Sequence, residues 1–186
     1  VQVVNSSGNS SAFLYISGGW DLSTQTQTGQ TWFRQKHGTF NTRNGYGLYL
    51  SSKSYVSLDK LNFLRYNYGI YYGSNSNNNT ITSATCNSNN NNGIYYYSSN
   101  NNNTITSATC NSNMYGIYYY NSSNNTITSA TCNSNNNNGI YYNGCNNNTI
   151  TSATCNSNRY GIYYSNSNNN TIYSLSTTSN TTAGIY

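Results

Sequence analysis

The side chains able to act as acids, bases, nucleophiles or metal ligands are few. The sequence holds two carboxylates, Asp21 and Asp59, no Glu, and a single histidine, His37. Glycoside hydrolysis needs paired carboxylates, and general acid–base catalysis needs a group placed at the reacting proton. Asp21 and His37 share one stretch, but no motif supports an Asp21/His37/Ser arrangement, so the composition predicts a protein that is not an enzyme. The five cysteines hold the remaining chemistry. Cys86, Cys110, Cys132 and Cys155 recur at spacings of 24, 22 and 23. A metal site wants convergent pairs such as Cys-x-x-Cys, and these cysteines are each a whole repeat apart. Stacked at a strand spacing of ~4.8 Å they fall within disulfide range, but parallel Cβ directions do not favour closure. They are expected to fill a narrow core as small apolar side chains, with no metal and no cofactor implied. Cys145 differs: in the Asn143-Gly144-Cys145-Asn146 turn it is expected to be an exposed thiol or an intermolecular bridge.

The elements that position these residues form an array. Asn79-Thr80-Ile81-Thr82-Ser83-Ala84-Thr85-Cys86-Asn87-Ser88-Asn89 returns with little change from Asn103, Asn125 and Asn148. A Gly-aliphatic-Tyr mark begins at Gly47, Gly69, Gly93, Gly116, Gly139, Gly161 and Gly184, at spacings of 22, 24, 23, 23, 22 and 23. A nearly fixed period of this length identifies a solenoid. No amphipathic run of helical length exists, and each unit offers three short strand-like pieces between Asn, Ser and Gly turns. The expectation is an all-β parallel β-helix of about seven coils of 22–24 residues, with three short strands per coil. Residues 1–45 do not repeat; they hold both Trp and three of the four Phe, and are expected to form an N-terminal cap or irregular first coil below an array over 46–186.

With its Asn78-Asn79-Thr80-Ile81-Thr82 and Gly93-Ile94-Tyr95-Tyr96 segments, residues 46–186 resemble the right-handed parallel β-helix repeat family, the pectate-lyase-like and NosD-type proteins. The resemblance implies stacked coils with like residues above one another. Cys stands where an aliphatic residue is usual, and Tyr where Leu is usual. The implied core ladders are Val56, Ile81, Ile105, Ile127, Ile150 and Ile172; Leu48, Ile70, Ile94, Ile117, Ile140, Ile162 and Ile185; and the four cysteines. Lyases, hydrolases, adhesins and fibres share such folds, so fold alone leaves function open.

Strand alternation then sends Tyr71, Tyr95, Tyr118, Tyr141, Tyr163 and Tyr186 outward, and Tyr72, Tyr96, Tyr119, Tyr142 and Tyr164 inward or to a corner with hydroxyls reaching partners. The outward column is a sugar platform, a seam between rods, or simple cross-strand stacking. The residue before each marker Gly alternates as Tyr68, Asn92, Tyr115, Asn138, Tyr160, with Met114 and Arg159 alongside. That two-coil rhythm is a lateral contact surface or the trace of duplicated two-coil units. Thr80/Thr82, Thr104/Thr106, Thr126/Thr128 and Thr149/Thr151 form an outward Thr-x-Thr face of the kind ice-binding solenoids use, and one that β-propensity also produces. Asn columns at 79, 103, 125, 148 and 170 and at 87, 111, 133 and 156 are expected at corners, where Asn tolerates the left-handed conformation and stacked amides bond along the rod.

The net charge of +5 lies almost wholly before position 66, with Arg159 the one charged residue beyond it. No basic stripe runs along the array, so nucleic acid is not an expected partner. No apolar run approaches the ~20 residues that span a bilayer. The chain starts at Val1 without Met, which reads as a mature or excerpted chain at an extracellular or cell-surface location. The last coil stops within its repeat, and an uncovered edge recruits other chains. The leading expectation is a structural subunit whose copies stack head to tail into a filament, with Val1, Val3, Val4, Ile185 and Tyr186 at the meeting ends. The alternatives are an adhesin or carbohydrate-binding rod using the Tyr ladder, and an ice-binding rod.

Overall fold

The computed structural model describes residues 45–186 without interruption, together with Gly29 and the segments Gln2–Val3, Leu14–Ser17, Trp20–Asp21, Thr26–Gln27 and Thr31–Arg34. It is a parallel β-helix. One wall has eight strands in the order Gln2–Val3, Tyr46–Leu50, Tyr68–Tyr72, Asn92–Tyr97, Tyr115–Tyr120, Asn138–Asn143, Tyr160–Ser165, Ala183–Ile185. A second has seven, from Leu14–Ser17 through Val56–Asp59, Thr80–Thr82, Thr104–Thr106, Thr126–Thr128 and Thr149–Thr154 to Thr171–Ser176. At the bottom of the third face Thr31–Arg34, Leu61–Leu64 and Thr85–Asn87 pair. Above that it thins to single bridges, Thr85 to Thr109 to Thr131 to Thr154. In the top two coils the second-wall strands run on into this face, Ala153 pairing with Leu175 and Thr154 with Ser176, so it is the middle coils that lack a full third strand. Positive-φ corners five residues apart, Lys60 and Arg65 and then Ser83 and Ser88 and their equivalents, bracket this face in each coil and keep its strands short.

Like residues stack on like. Leu48, Ile70, Ile94, Ile117, Ile140, Ile162 and Ile185 are in register on the first wall. On the second, Ile81 lies over Leu58 and under Ile105, Ile127, Ile150 and Ile172. Val56 is therefore not the base of the Ile81 ladder; it is buried two residues before Leu58 and pairs with Leu14. The expected core ladders are buried throughout except at the top, where Ile172 is half-buried and Ile185 exposed. The cysteine column continues downward as Phe63 and Phe33, whose rings stack at 5.1 Å. An Ala column, Ala84, Ala108, Ala130 and Ala153, completes the interior.

Asparagine amides tie the corners. Asn79, Asn103 and Asn125 each donate the backbone N–H upward to the side-chain Oδ1 of the next Asn in the column, at 2.8–2.9 Å. A parallel buried column not expected from the sequence, Asn89, Asn113, Asn135 and Asn158, does the same. Two outer columns run the other way: Asn111, Asn133 and Asn156 donate downward to Asn87, Asn111 and Asn133, while Asn101 and Ser123 donate downward to Asn77 and Asn101. The ladder asparagines are not the left-handed residues. That conformation falls on Asn78, Ser83 and Ser88 and their equivalents in each coil, so turn-forming and bonding are divided between neighbours.

Cys145 is buried, correcting the expectation of an exposed thiol. It occupies the inward corner column of Ser76, Asn100, Ser122 and Ser167, where its Sγ accepts the Ser122 N–H at 3.4 Å. A small polar group facing in at this corner suits either Ser or Cys.

Removing one buried amide orphans several groups at once. Asn125→Ala strips the acceptor from the N–H and Nδ2 of Asn103 and the donor from the Asn100 carbonyl, and is expected to cost about 1–3 kcal/mol. Asn111→Ala, on a half-exposed outer column where water substitutes, is expected to cost less. Equal losses in denaturant titrations would contradict this ranking.

Candidate functional site

The outer face of the first wall is paved with tyrosine. The alternation Ile-in, Tyr-out places Tyr71, Tyr95, Tyr118, Tyr141, Tyr163 and Tyr186 in one column, with successive rings 4.4–5.2 Å apart. Such pairs add about 0.5–1.5 kcal/mol each beyond area burial. A shorter column, Tyr97 and Tyr120, stacks beside it at 5.5 Å. Tyr46, Tyr68, Tyr115 and Tyr160 stand alongside on the other flank, each against the outward Tyr of its own rung.

Where Asn replaces Tyr on this flank the surface opens. A cleft of about 240 Å³ is lined by Tyr115, Asn137, Asn138, Tyr141, Arg159, Tyr160 and Tyr163. Its lower side is the Tyr115 ring, stacked on Tyr141 at 5.7 Å and held by the Asn137 Nδ2, which donates to the phenol oxygen at 3.1 Å. Its upper side is Tyr160, with the Arg159 guanidinium 5.3 Å from the ring centroid. The buried Oδ1 of Asn138 has no hydrogen-bond partner. Aromatic faces, a recessed acceptor and a planar cation make a surface suited to rings edged with hydroxyls. The structure thus brings Tyr115, Tyr141, Tyr160 and Tyr163 together, as the outward ladder implied. Asn137 and Asn138 complete the site; the two-coil Tyr/Asn rhythm was their signal.

The interior is chemically quiet. Tyr72, Tyr96, Tyr119, Tyr142 and Tyr164 form an inward column of near-parallel rings 4.6–5.3 Å apart. Their hydroxyls have no hydrogen-bond partners, contrary to the expectation that they reach one. Burial holds the phenols of Tyr96, Tyr119 and Tyr142 well above the ordinary value, and pushes that of Tyr164 to about 12. The thiols of Cys110, Cys132 and Cys155 are also held well above their usual range, the first two chiefly by burial and Cys155 chiefly by its hydrogen bond with the Cys132 thiol.

On the second wall the Thr pairs do stack in register for four coils, but Ser57 and Asp59 lie below them and Tyr173 replaces the upper Thr. Asp59 is half-buried on that face. His37 and the side chain of Asp21 lie outside the described residues, as do Val1 and Val4. No helix among the described residues is long and apolar enough to cross a membrane.

The family profile described as "Periplasmic copper-binding protein (NosD)" matches residues 23–186. Among solved structures, pectate lyase Pel9A superposes with a TM-score of 0.68 at 18% identity, covering 84% of this chain and 40% of the lyase. The periplasmic alginate epimerase AlgG gives 0.55 at 13%, covering 92% of this chain and 58% of the epimerase. The enzymatically active domain of bacteriophage CBA120 tailspike protein 2 gives 0.56 at 17%, covering 90% and 26%. At these identities the likeness is one of fold, and this chain spans less than two thirds of each of the three. No curated protein matches the sequence.

Copper is the metal named in that family description, and the thiol column is the place to test it. Soft thiolates select Cu(I). Among the described residues no three His, Cys, Asp or Glu side chains converge. The thiols lie in single file in a packed core, and those of Cys110, Cys132 and Cys155 are held protonated there, whereas metal ligation requires them deprotonated. The column does not fit a copper site.

The buried phenols set an alkaline limit. Their raised folded values mean that the unfolded chain releases protons first, so stability is complete below the ordinary phenol value of 10.0 and is lost as pH rises above it towards the folded values. Melting temperature is expected to hold to about that pH and then fall, with tyrosinate absorbance from the inward column appearing only on unfolding. Tyr119→Phe, which deletes an unpaired hydroxyl, is expected to leave stability unchanged or raise it by up to about 1 kcal/mol; a larger loss would reveal a bonded hydroxyl.

Proposed function

Because the chain belongs to the NosD family of right-handed parallel β-helices, we propose that it is a secreted or periplasmic, non-catalytic β-helix that binds carbohydrate on the tyrosine wall. The observation that carries this reading is the cleft between Tyr115 and Tyr160, where aromatic faces flank the unpaired Asn138 Oδ1 and the Arg159 guanidinium. Pyranose rings present apolar C–H faces to aromatic rings and hydroxyls to polar edges, which this arrangement accommodates. The names of the structural neighbours, a pectate lyase and an alginate epimerase, supply the same polymer class. The non-catalytic part rests on composition: two Asp and no Glu in the whole sequence leave little for acid–base chemistry.

The test is a glycan array followed by calorimetry on the best binders. Tyr160→Ala and Arg159→Met are each expected to weaken binding about five- to tenfold while leaving the melting temperature within a few degrees. Absence of binding to any glycan, or binding indifferent to both changes, would defeat the reading. Turnover of a bound glycan would defeat its non-catalytic part.

A further inference from the structure

The arrangement of residues around Asn138 recurs two coils below, around Asn92. Moving each lining residue down by two rungs exchanges Tyr115 for Tyr68, Asn138 for Asn92 and Tyr160 for Tyr115, and three independent details move with them. Tyr68 stacks on Tyr95 at 5.8 Å, as Tyr115 does on Tyr141 at 5.7 Å. The Asn91 Nδ2 donates to the Tyr68 phenol oxygen at 2.9 Å, as Asn137 does to Tyr115 at 3.1 Å. Asn92 is only 1% exposed and Asn138 3%, and the Oδ1 of each is buried without a partner. One position differs in kind, Met114 standing where the upper cleft has Arg159.

We propose that these are two subsites of one binding track, and that the ligand is an extended, equatorially linked polysaccharide lying along the rod with one disaccharide for every two coils. This deepens the carbohydrate reading and rests on it. Two rungs advance ~10 Å along the rod, about the length of two sugar rings in such a chain. Successive rings of an equatorially linked chain are turned over by half a turn, so the same edge returns at every second ring, as the recessed acceptor returns at every second coil. Each Asn Oδ1, closed to water in the free rod, accepts from a sugar hydroxyl as the flanking Tyr rings part to admit the chain. Tyr115 is shared, as the upper side of the lower subsite and the lower side of the upper one. An axially linked chain curls and loses the register.

Calorimetry with cello-oligosaccharides of increasing length, malto-oligosaccharides as the axially linked control, tests this on the whole chain. Binding is expected to strengthen at least tenfold once the chain is long enough to occupy both subsites, with no such step for the malto series. Asn92→Tyr and Asn138→Tyr fill one subsite each with the residue that adjacent rungs already tolerate, since Tyr46 and Tyr68 stack on consecutive coils at 5.4 Å. Each is expected to keep the wild-type melting temperature and to remove the length step, and Tyr115→Ala to weaken binding more than Tyr68→Ala or Tyr160→Ala. Glycan binding without the length step, equal binding of the malto series, or binding unchanged in both filled variants would overturn the two-subsite track and leave the carbohydrate reading standing. Binding of no glycan at all would overturn both.

Discussion

Everything in this molecule depends on one constraint: each coil must lay its residues on the same residues of the coil below, in parallel register. A rung alone buries almost nothing, and its backbone groups find most of their partners on neighbouring rungs, as when Thr104 and Thr126 donate to the carbonyls of Asn79 and Asn103 at 2.9 Å. Register makes side-chain choice a column decision. An Ile extends a ladder, an Asn extends an amide chain, and a Tyr extends a stack. Any residue that fails to match its column forfeits contacts on two sides. The marker glycines show how tight the stacking is, since a Cβ on Gly93 would come within 2.7 Å of the Gly116 carbonyl oxygen.

That constraint explains how a chain with 5% charged residues and few aliphatics is held together. The core is one coil wide, so thiols, alanines and single Ile ladders are enough to fill it. Tyrosine serves on both sides of the same strand, giving inward rings packed face to face in the core and outward rings stacked on one another at the surface. The inward hydroxyls are left without partners, a cost that the stacking and burial of five rings must outweigh. The outer wall departs from strict repetition at Asn92 and Asn138, and the open ground lies there.

Most of the fold was legible because a period constrains every position at once. Ile81, Cys86 and Ile94 announce their columns by recurring, and strand alternation correctly separates Tyr95 from Tyr96. Errors arose where repetition weakens. Val56 and Leu58 are both apolar and two apart, so nothing in the first, divergent coil shows which lies beneath Ile81. Cys145 resembles a loop thiol until its column, otherwise Ser and Asn, is known to face inward. The left-handed corners fell to Ser83 and Ser88 rather than to the ladder asparagines, because a residue whose amide must reach along the rod keeps ordinary backbone angles while its neighbour turns the chain. The cleft was visible only as an alternation of Tyr and Asn; that Tyr115 and Tyr160 flank an unpaired Asn138 oxygen depends on side-chain packing that no period encodes.

The asparagine ladders bear on the rod as an electrical object. In the two buried columns the side-chain carbonyls accept from the coil below, and in the two outer columns from the coil above. Each ladder is a line of aligned amide dipoles, and a single such line would give the rod a polar axis of the kind an α-helix has. The four Asn lines oppose one another two by two, and the corner column of Ser76, Asn100, Ser122, Cys145 and Ser167 adds one more in the sense of the buried pair. Most of the ladder dipole therefore cancels however many coils are stacked, and only the remainder of one line is left along the rod.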